Sequence, residues 1–278
     1  MGIELVTKYL PYVDEVFTTE SKRTLLTNND FSWNGAKSIK VYKVTTAKMN
    51  DYNRTGENNG SRYGEVETLD ATTETMTLLK DRSFTFEIDK LDTNETEGQL
   101  ASASALARQI REVCVPEIDT YVYNIMCTYA GNKPSAIALT HENIYDEIIK
   151  ANSVLDDNEV PETNRVMLVT PQVYLLLKKC KDITMETNIG NELRLKGVIG
   201  IIDGVTVIKV PANRLPDDFG FMIAHPVATV SPVKLEDYKI HNSPPGISGD
   251  LVEGRICYDA FVLNNKAKAI YYQAKTEE

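Results

Sequence analysis

Apolar residues along this chain recur with two different periods, and the switch between them divides it. Phe84, Phe86 and Ile88 alternate with Ser83, Thr85 and Glu87, the period-two pattern of a half-buried strand. From residue 92 the spacing lengthens. Leu100, Ala103, Leu106, Ile110, Val113, Ile118, Val122, Ile125 and Tyr129 recur close to a helical period and predict a long helix over 92–130. Asn94 with Glu97, or Asp92 with Glu95, offers a capping box, and Gly131 offers a C-cap with Pro134 beyond it. Pro116 predicts a kink or a division, because proline lacks the N–H and its ring clashes with the carbonyl four residues back. At about 1.5 Å per residue such a helix reaches roughly 45–55 Å, a spine longer than a compact domain needs.

Upstream, residues 37–90 read as a long β-hairpin. Ile39, Val41 and Val44 lie on the outgoing strand and Phe84 to Ile88 on the return. The run 50–64 between them is rich in Asn, Gly and Ser, which is turn chemistry. Residues 65–79 are rich in Thr and Glu and poor in large apolar side chains. A lone two-stranded ribbon is marginal in water, so a neighbouring subunit is the expected bed. Residues 1–30 read as an arm, with Leu5, Tyr9, Leu10, Val13, Val16 and Phe17 at loose helical spacing around Pro11. It packs either on a neighbour or on its own domain.

Downstream, residues 136–225 alternate between helix and strand. Thr140 caps a helix over 141–155, and 165–169 is a strand. Thr170-Pro171 places a cap and an N1 proline before a helix over 172–180. Strands 198–202 and 205–210 flank Asp203-Gly204, a two-residue hairpin signal, and 219–225 is a further strand. This is a small α/β module. Residues 226–272 return to β structure and end in a hairpin around Asn264-Asn265. The fold class expected is α+β.

Composition narrows the function by exclusion. The net charge of −10 over 278 residues is the wrong sign for a protein that grips nucleic acid through phosphate contacts. The four cysteines, Cys114, Cys127, Cys180 and Cys257, have no metal-ligand rhythm and read as buried thiols. Apolar runs are too short to span a bilayer, and the first residues lack the basic region and apolar core of a secretory signal. His141, His225 and His241 lie in different elements. No nucleophile elbow, His-Glu-x-x-His helix, phosphate loop or dinucleotide turn occurs. The acids Asp156, Asp157, Glu159 and Glu162 read as a solvated loop in preference to a divalent-cation site. No catalytic residue, cofactor or metal is expected, and the chain is not expected to be an enzyme.

Five segments, in order, resemble the major capsid proteins of tailed bacteriophages. They are Phe84-Thr-Phe-Glu-Ile-Asp-Lys-Leu-Asp-Thr-Asn-Glu-Thr96, Val115-Pro-Glu-Ile-Asp-Thr-Tyr121, Asn164-Arg-Val-Met-Leu-Val-Thr-Pro171, Ile202-Asp-Gly-Val-Thr-Val-Ile-Lys-Val-Pro-Ala-Asn-Arg214 and Tyr258-Asp-Ala-Phe-Val-Leu-Asn-Asn-Lys266. The resemblance implies the Hong Kong 97-type capsid fold. Residues 1–30 would be the N-terminal arm and 37–82 the extended loop laid across an adjacent subunit. Residues 31–36, 83–135 and 226–278 would form the peripheral domain with the spine helix, and 136–225 the axial domain. The implied function is a structural subunit that self-assembles into pentamers and hexamers of an icosahedral head in the virion. That head would be built in the host bacterial cytoplasm and enclose double-stranded DNA without sequence-specific binding. The implied partners are further copies of the chain, a scaffolding protein, a portal and a decoration protein, with no membrane. Because the hairpin begins within forty residues, no long helical scaffolding segment fits ahead of it. The subunit-interface residues expected are Tyr52, Arg54, Arg62, Tyr63, Asp156, Asp157 and Arg214. Two other functions are weighed: an encapsulin-like nanocompartment shell, and a small-molecule enzyme or binding domain of unrelated fold.

Overall fold

The computed structural model describes residues 21–28, 38–44, 46–55, 62–64, 66–69, 71–95, 101–180 and 200–276. Most of the arm, the stretch 96–100 of the expected spine and residues 198–199 of an expected strand lie outside the described residues. The chain separates into two packed units, Trp33–Leu79 in one and Met1–Ser32 with Lys80–Glu278 in the other.

The smaller unit is a ribbon. Strand β1 (Ser38–Val44) pairs antiparallel with β2 (Ala71–Thr77), Ser38 opposite Thr77 and Val44 opposite Ala71. The return strand is therefore not the one expected. Phe84 to Ile88 belong to β3 (Lys80–Asp89) in the larger unit, which pairs along its length with β10 (Gly249–Tyr258). The alternation itself is as read: Ile88 is buried, Phe84 and Phe86 are half-buried, and Ser83, Thr85 and Glu87 are exposed. Periodicity reports which face a strand buries but not which strand it pairs with. The true return strand, Ala-Thr-Thr-Glu-Thr-Met-Thr, is β-branched but almost without apolar alternation.

Strand β9 (Val233–Asn242) completes a three-stranded antiparallel sheet, in the order β3-β10-β9. Phe84 faces Gly254 across it, and its ring sits 2.3 Å from where a Cβ on Gly254 would fall. Glycine is needed there for close approach.

The spine is three pieces joined end to end. After the short helix α1 (Lys90–Glu95) come α2 (Ser102–Gln109), one π-helical turn (Ile110–Cys114) and α3 (Val115–Tyr129). In the wide turn the Val115 N–H reaches the Ile110 carbonyl, five residues back. Pro116 follows directly, so the wide turn lets the helix continue past a residue that has no N–H to give. At Pro116 the helix neither breaks nor divides, but Ala101 is extended (φ −79°, ψ 138°), so the continuous helix expected over 92–130 begins only at Ser102. From 102 to 129 it extends roughly 40 Å at about 1.5 Å per residue. The extra residue in the π turn also rotates the buried face. Cys114, Ile118, Val122, Tyr123, Met126 and Cys127 point inward, whereas Val113 and Tyr129, expected on the buried stripe, are exposed. Gly131 follows without a positive φ. A Cβ there would lie 2.6 Å from the Ala267 backbone, so close packing excludes a side chain at that position.

The α/β module is a five-stranded sheet in the order β12-β7-β4-β6-β5. Its strands are β4 (Val166–Val169), β5 (Ile201–Ile202), β6 (Val205–Lys209), β7 (Phe219–Ala224) and β12 (Ile270–Ala274), and only the β4–β6 pair is parallel. Helix α4 (Ile144–Asp157) starts three residues later than expected. Helix α5 (Pro171–Lys179) begins as read, with the Val173 N–H donating to the Thr170 hydroxyl at 3.3 Å. Two short strands, β8 (Thr229–Val230) and β11 (Phe261–Val262), form a separate pair. Residues 264–269 are a 3-10 helix and not a hairpin turn, and the strand after it leaves its local neighbours to pair with β7. Residues 270–274, expected with the peripheral elements, thus close the sheet of the α/β module. One continuous core runs through α3, α4, β4, β6, β7 and β12.

Asp203 (φ 47°) and Gly204 (φ 75°) both occupy the left-handed region, as a type I′ turn between β5 and β6 requires. No atom lies within 4 Å of a Cβ placed on Gly204, so backbone strain alone decides the effect of a side chain. Gly204→Val is expected to destabilise the full-length chain by about 1–3 kcal/mol, read as a lowered midpoint in denaturant titration. A fragment ending at residue 225 is the wrong host for this test, because it lacks β12.

Candidate functional surface

The smaller unit concentrates exposed apolar and cationic side chains. Met49 (99% exposed), Val66 (92%) and Tyr63 (80%) stand in solvent, and Tyr52 and Leu69 are also exposed, whereas Met76 and Leu78 nearer the ribbon's other end are buried. Within 65–79, the stretch expected to lack a core-forming stripe, the described Val66, Leu69 and Leu79 are exposed, but Met76 and Leu78 are buried. Tyr52 and Tyr63 pack edge to face, ring centroids 5.2 Å apart at 71°. The chain around them is tied by local bonds. The Asn53 N–H donates to the Arg62 carbonyl at 3.0 Å. Thr55 donates to the Asn53 side-chain oxygen from its N–H at 2.9 Å and from its hydroxyl at 2.6 Å. The Lys48 N–H donates to the Glu67 carboxylate at 3.1 Å. Gly64 takes φ +88°, and the Asn50 side chain lies 2.7 Å from the site of its missing Cβ. Arg54 and Arg62 are exposed beside the tyrosines.

The remaining expected contact residues belong to the larger unit. Asp156 pairs with Arg165, Oδ1 to guanidinium at 2.6 Å, and Arg165 also donates to the carbonyls of Val160 (2.5 Å) and Pro161 (2.9 Å). The acidic loop is thus folded around its own arginine. Asp157 is exposed. Arg214 is a correction: its guanidinium is buried within the subunit, 3.0 Å from Asp119, which is wholly buried on α3. The 3-10 turn Ala212–Arg214 packs against α3 and turns the side chain inward. Ser21 donates its hydroxyl to the other Asp119 oxygen at 2.6 Å. Burial pushes the Asp119 carboxyl up, against the pull of Ser21, Arg23 and Arg214. Sequence reasoning missed Asp119. Its only signal was an acid placed on the inward face of the helix, one position from Ile118.

Nothing among the described residues assembles catalytic chemistry. No group of three or more His, Cys, Asp or Glu is placed to hold a metal ion, and no helix is long and apolar enough to cross a membrane, in both cases among the described residues. Cys114, Cys127 and Cys180 are buried, and burial pushes the Cys127 thiol up to about 12, far from a reactive thiolate. The open groove on the three-stranded sheet, about 430 Å³, is lined by charges that satisfy one another. Arg255 grips Asp81 with two bonds (2.9 and 2.6 Å), Lys239 pairs with Asp237 (3.0 Å) and His241 with Glu253 (3.1 Å).

No protein-family model matches the chain, and no curated protein matches it in sequence. Its likeness to solved structures is extensive. A chain from the capsid structure of cyanophage P-SCSP1u superposes with a TM-score of 0.79 at 14% identity, over 98% of this chain and 93% of that one. A chain from the mature capsid of bacteriophage PhiM1 gives 0.73 at 13% identity, over 98% and 92%. A virus-like particle from Pyrococcus furiosus gives 0.58 at 13% identity, over 91% and 92%. The chain has the α+β fold of these proteins, the fold class expected from its sequence.

Two tests follow from the buried groups. Arg214→Met removes the guanidinium bonded to the buried Asp119 carboxylate and leaves Ser21 and Arg23 as its remaining pull, and is expected to cost about 3 kcal/mol at neutral pH. The variant's carboxyl is then raised further. The sign follows: the penalty is full above that raised value and shrinks as Asp119 takes up a proton on acidification, so the gap to the parent in a stability–pH titration narrows at low pH. The second test concerns His225, whose Nδ1 accepts from the Val227 N–H at 3.2 Å and whose ring donates to the Thr163 carbonyl. Burial, with Arg165 and Lys266 nearby, holds its pKa below the usual histidine value. Its contribution is therefore present above pH of about 6.5 and lost as pH falls through the lowered value. His225→Asn should flatten that part of the melting-temperature profile; an unchanged profile would remove His225 as its source.

Proposed function

We propose that the chain is the major capsid protein of a tailed bacteriophage, a structural subunit and not an enzyme. The observation that carries this reading is the fold likeness to phage capsid chains, which spans nearly all of both partners despite low identity. An unrelated enzyme or binding domain would not be expected to match such chains from end to end. In this reading copies of the chain associate into hexamers and pentamers of an icosahedral head. The α/β module clusters at the centre of each, as the axial domain, and the spine with its sheet forms the peripheral domain. The ribbon is the extended loop that reaches a neighbour. Tyr52, Arg54, Arg62, Tyr63 and Asp157 belong to contacts between copies, Asp156 with its loop supports them, and Arg214 is withdrawn from that set. Double-stranded DNA is enclosed without sequence-specific binding, consistent with the acidic net charge. Scaffolding, portal and decoration proteins complete the head, assembled in the host cytoplasm. A shell that encloses cargo enzymes has weaker support, because the chains matched with TM-scores of 0.79 and 0.73 come from phage capsids.

Electron microscopy of the purified protein tests this. Shells, tubes or isolated hexamers are expected. Deleting residues 49–66 should leave a folded protein that stays monomeric in sedimentation, since the Lys48 N–H and Glu67 carboxylate already meet across the gap. Small uniform shells carrying captured enzymes would favour the cargo reading, and a parent protein that never associates would exclude both.

A further inference from the structure

We infer that the open edge of β9 pairs antiparallel with the β9 edge of a second copy of this chain, joining two three-stranded sheets across a two-fold axis. The inference goes beyond the shell reading, which gives this edge no role. Strand β9 bonds to β10 on one side, and among the described residues no strand lies on its other side. The open edge runs the whole length Val233–Asn242. Such an edge presents a row of unpaired N–H and C=O groups, a template for a further strand, and proteins commonly blunt it with proline, a bulge or a short strand. β9 contains no proline, and its register shift falls at the Val233 end. On the inner face, Tyr238 packs its ring against Phe84 and Ile240 stands exposed beyond it. Direction also matters. β3 and β9 both run antiparallel to β10, so they are parallel to each other. With the inner faces kept on one side, joining β9 head to tail with the β3 of the next copy gives a parallel pair that propagates without closing. A two-fold gives the antiparallel ladder and closes with two copies.

Charges on an edge usually keep strands apart, and here their order selects the partner and the register. With the axis on Tyr238, Asp237 of each copy lies opposite Lys239 of the other, and Lys234 lies opposite Asn242. Opposite charges across an antiparallel pair stabilise it, and like charges oppose it. Moving the axis to Asp237 or to Lys239 sets that residue against itself. Asp237 and Lys239 now pair with each other along the strand at 3.0 Å, and both are about half exposed, so each can turn to a partner strand without uncovering a buried group. The β3 edge lacks this order. An axis on Phe84 sets Asp81 opposite Glu87, and one on Thr85 sets Asp81 opposite Asp89. The edge of β9 is thus self-complementary, and the edge of β3 repels itself.

The test uses the full chain. Copies carrying Asp237→Cys are mixed with copies carrying Lys239→Cys, oxidised mildly and separated by non-reducing electrophoresis. Residues opposite each other in an antiparallel pair lie about 4.5–5.5 Å apart at Cα, a span that a disulfide bridges. The mixture should give at least about tenfold more linked dimer than either variant alone. Equal linking by Asp237→Cys alone would overturn the register and the inference with it. Preferential linking of either cysteine to Ser83→Cys would show sheets joined through β3 and would overturn it too. Particles in the electron microscope without a linked dimer would overturn the edge pairing and leave the shell reading standing. Linked dimers of a protein that forms nothing larger would uphold the pairing and remove the shell reading, and a chain that stays monomeric throughout removes both. Should either cysteine variant melt early, Asp237→Lys and Lys239→Asp replace them. Each alone sets like charges across the axis and should associate more weakly than the parent in sedimentation, while their mixture should recover parental association. A mixture that stays as weak as its components would overturn the pairing.

Discussion

The buried pair between Asp119 and Arg214 ties together segments that the chain order keeps far apart. Asp119 is on the spine, Arg214 follows the strand β6, and Ser21 comes from the arm. Leu26, a few residues after Ser21, is fully buried, and the Asn28 N–H donates to the Thr229 carbonyl at 2.7 Å. A buried ion pair adds little net stability relative to a well-packed apolar replacement. We take its contribution to be positional. A carboxylate with no access to water tolerates only those packings that bring cations and a hydroxyl to it, and here one packing of helix, turn and arm does so.

The elements that were legible in the sequence are those fixed by local chemistry. Thr170-Pro171 starts a helix because a hydroxyl and a missing N–H suit its first turn. Asp203-Gly204 turns a hairpin because both residues tolerate positive φ. What escaped is non-local. Phe84 to Ile88 announced a half-buried strand, yet its partner lies more than 150 residues downstream. The Asn264-Asn265 turn signal was spent on a 3-10 helix, because β12 finds a better place beside β7 than beside β11. Pro116 predicts a kink or a division, yet the turn ahead of it widens and the helix runs on.

The candidate surface was legible in part for the same reason. Tyr52, Arg54, Arg62 and Tyr63 sit in an Asn- and Gly-rich loop, and such loops lie at surfaces. Arg214 also followed a turn, and nothing local distinguished it. The difference is Asp119, about a hundred residues earlier, which turns a surface-type residue into an interior one. The apolar side chains are divided accordingly. The larger unit spends them on one core, and the loop of the smaller unit leaves its own in water.

The position of β12 has a consequence for biosynthesis. The strands β4 and β7 leave the ribosome well before residues 270–274, and until those residues appear β7 has an unpaired edge, the kind of edge that invites aggregation or pairing with another nascent chain. Residues 132 and 137 wait as well, since Asn132 and Ile137 bond to the far side of the same strand. The α/β module therefore cannot mature during translation of its own sequence. Its completion is timed by the last strand to be made, so a ribosome that stalls short of that point releases a subunit with an open sheet, one that crowded polysomes would present to one another at high local concentration.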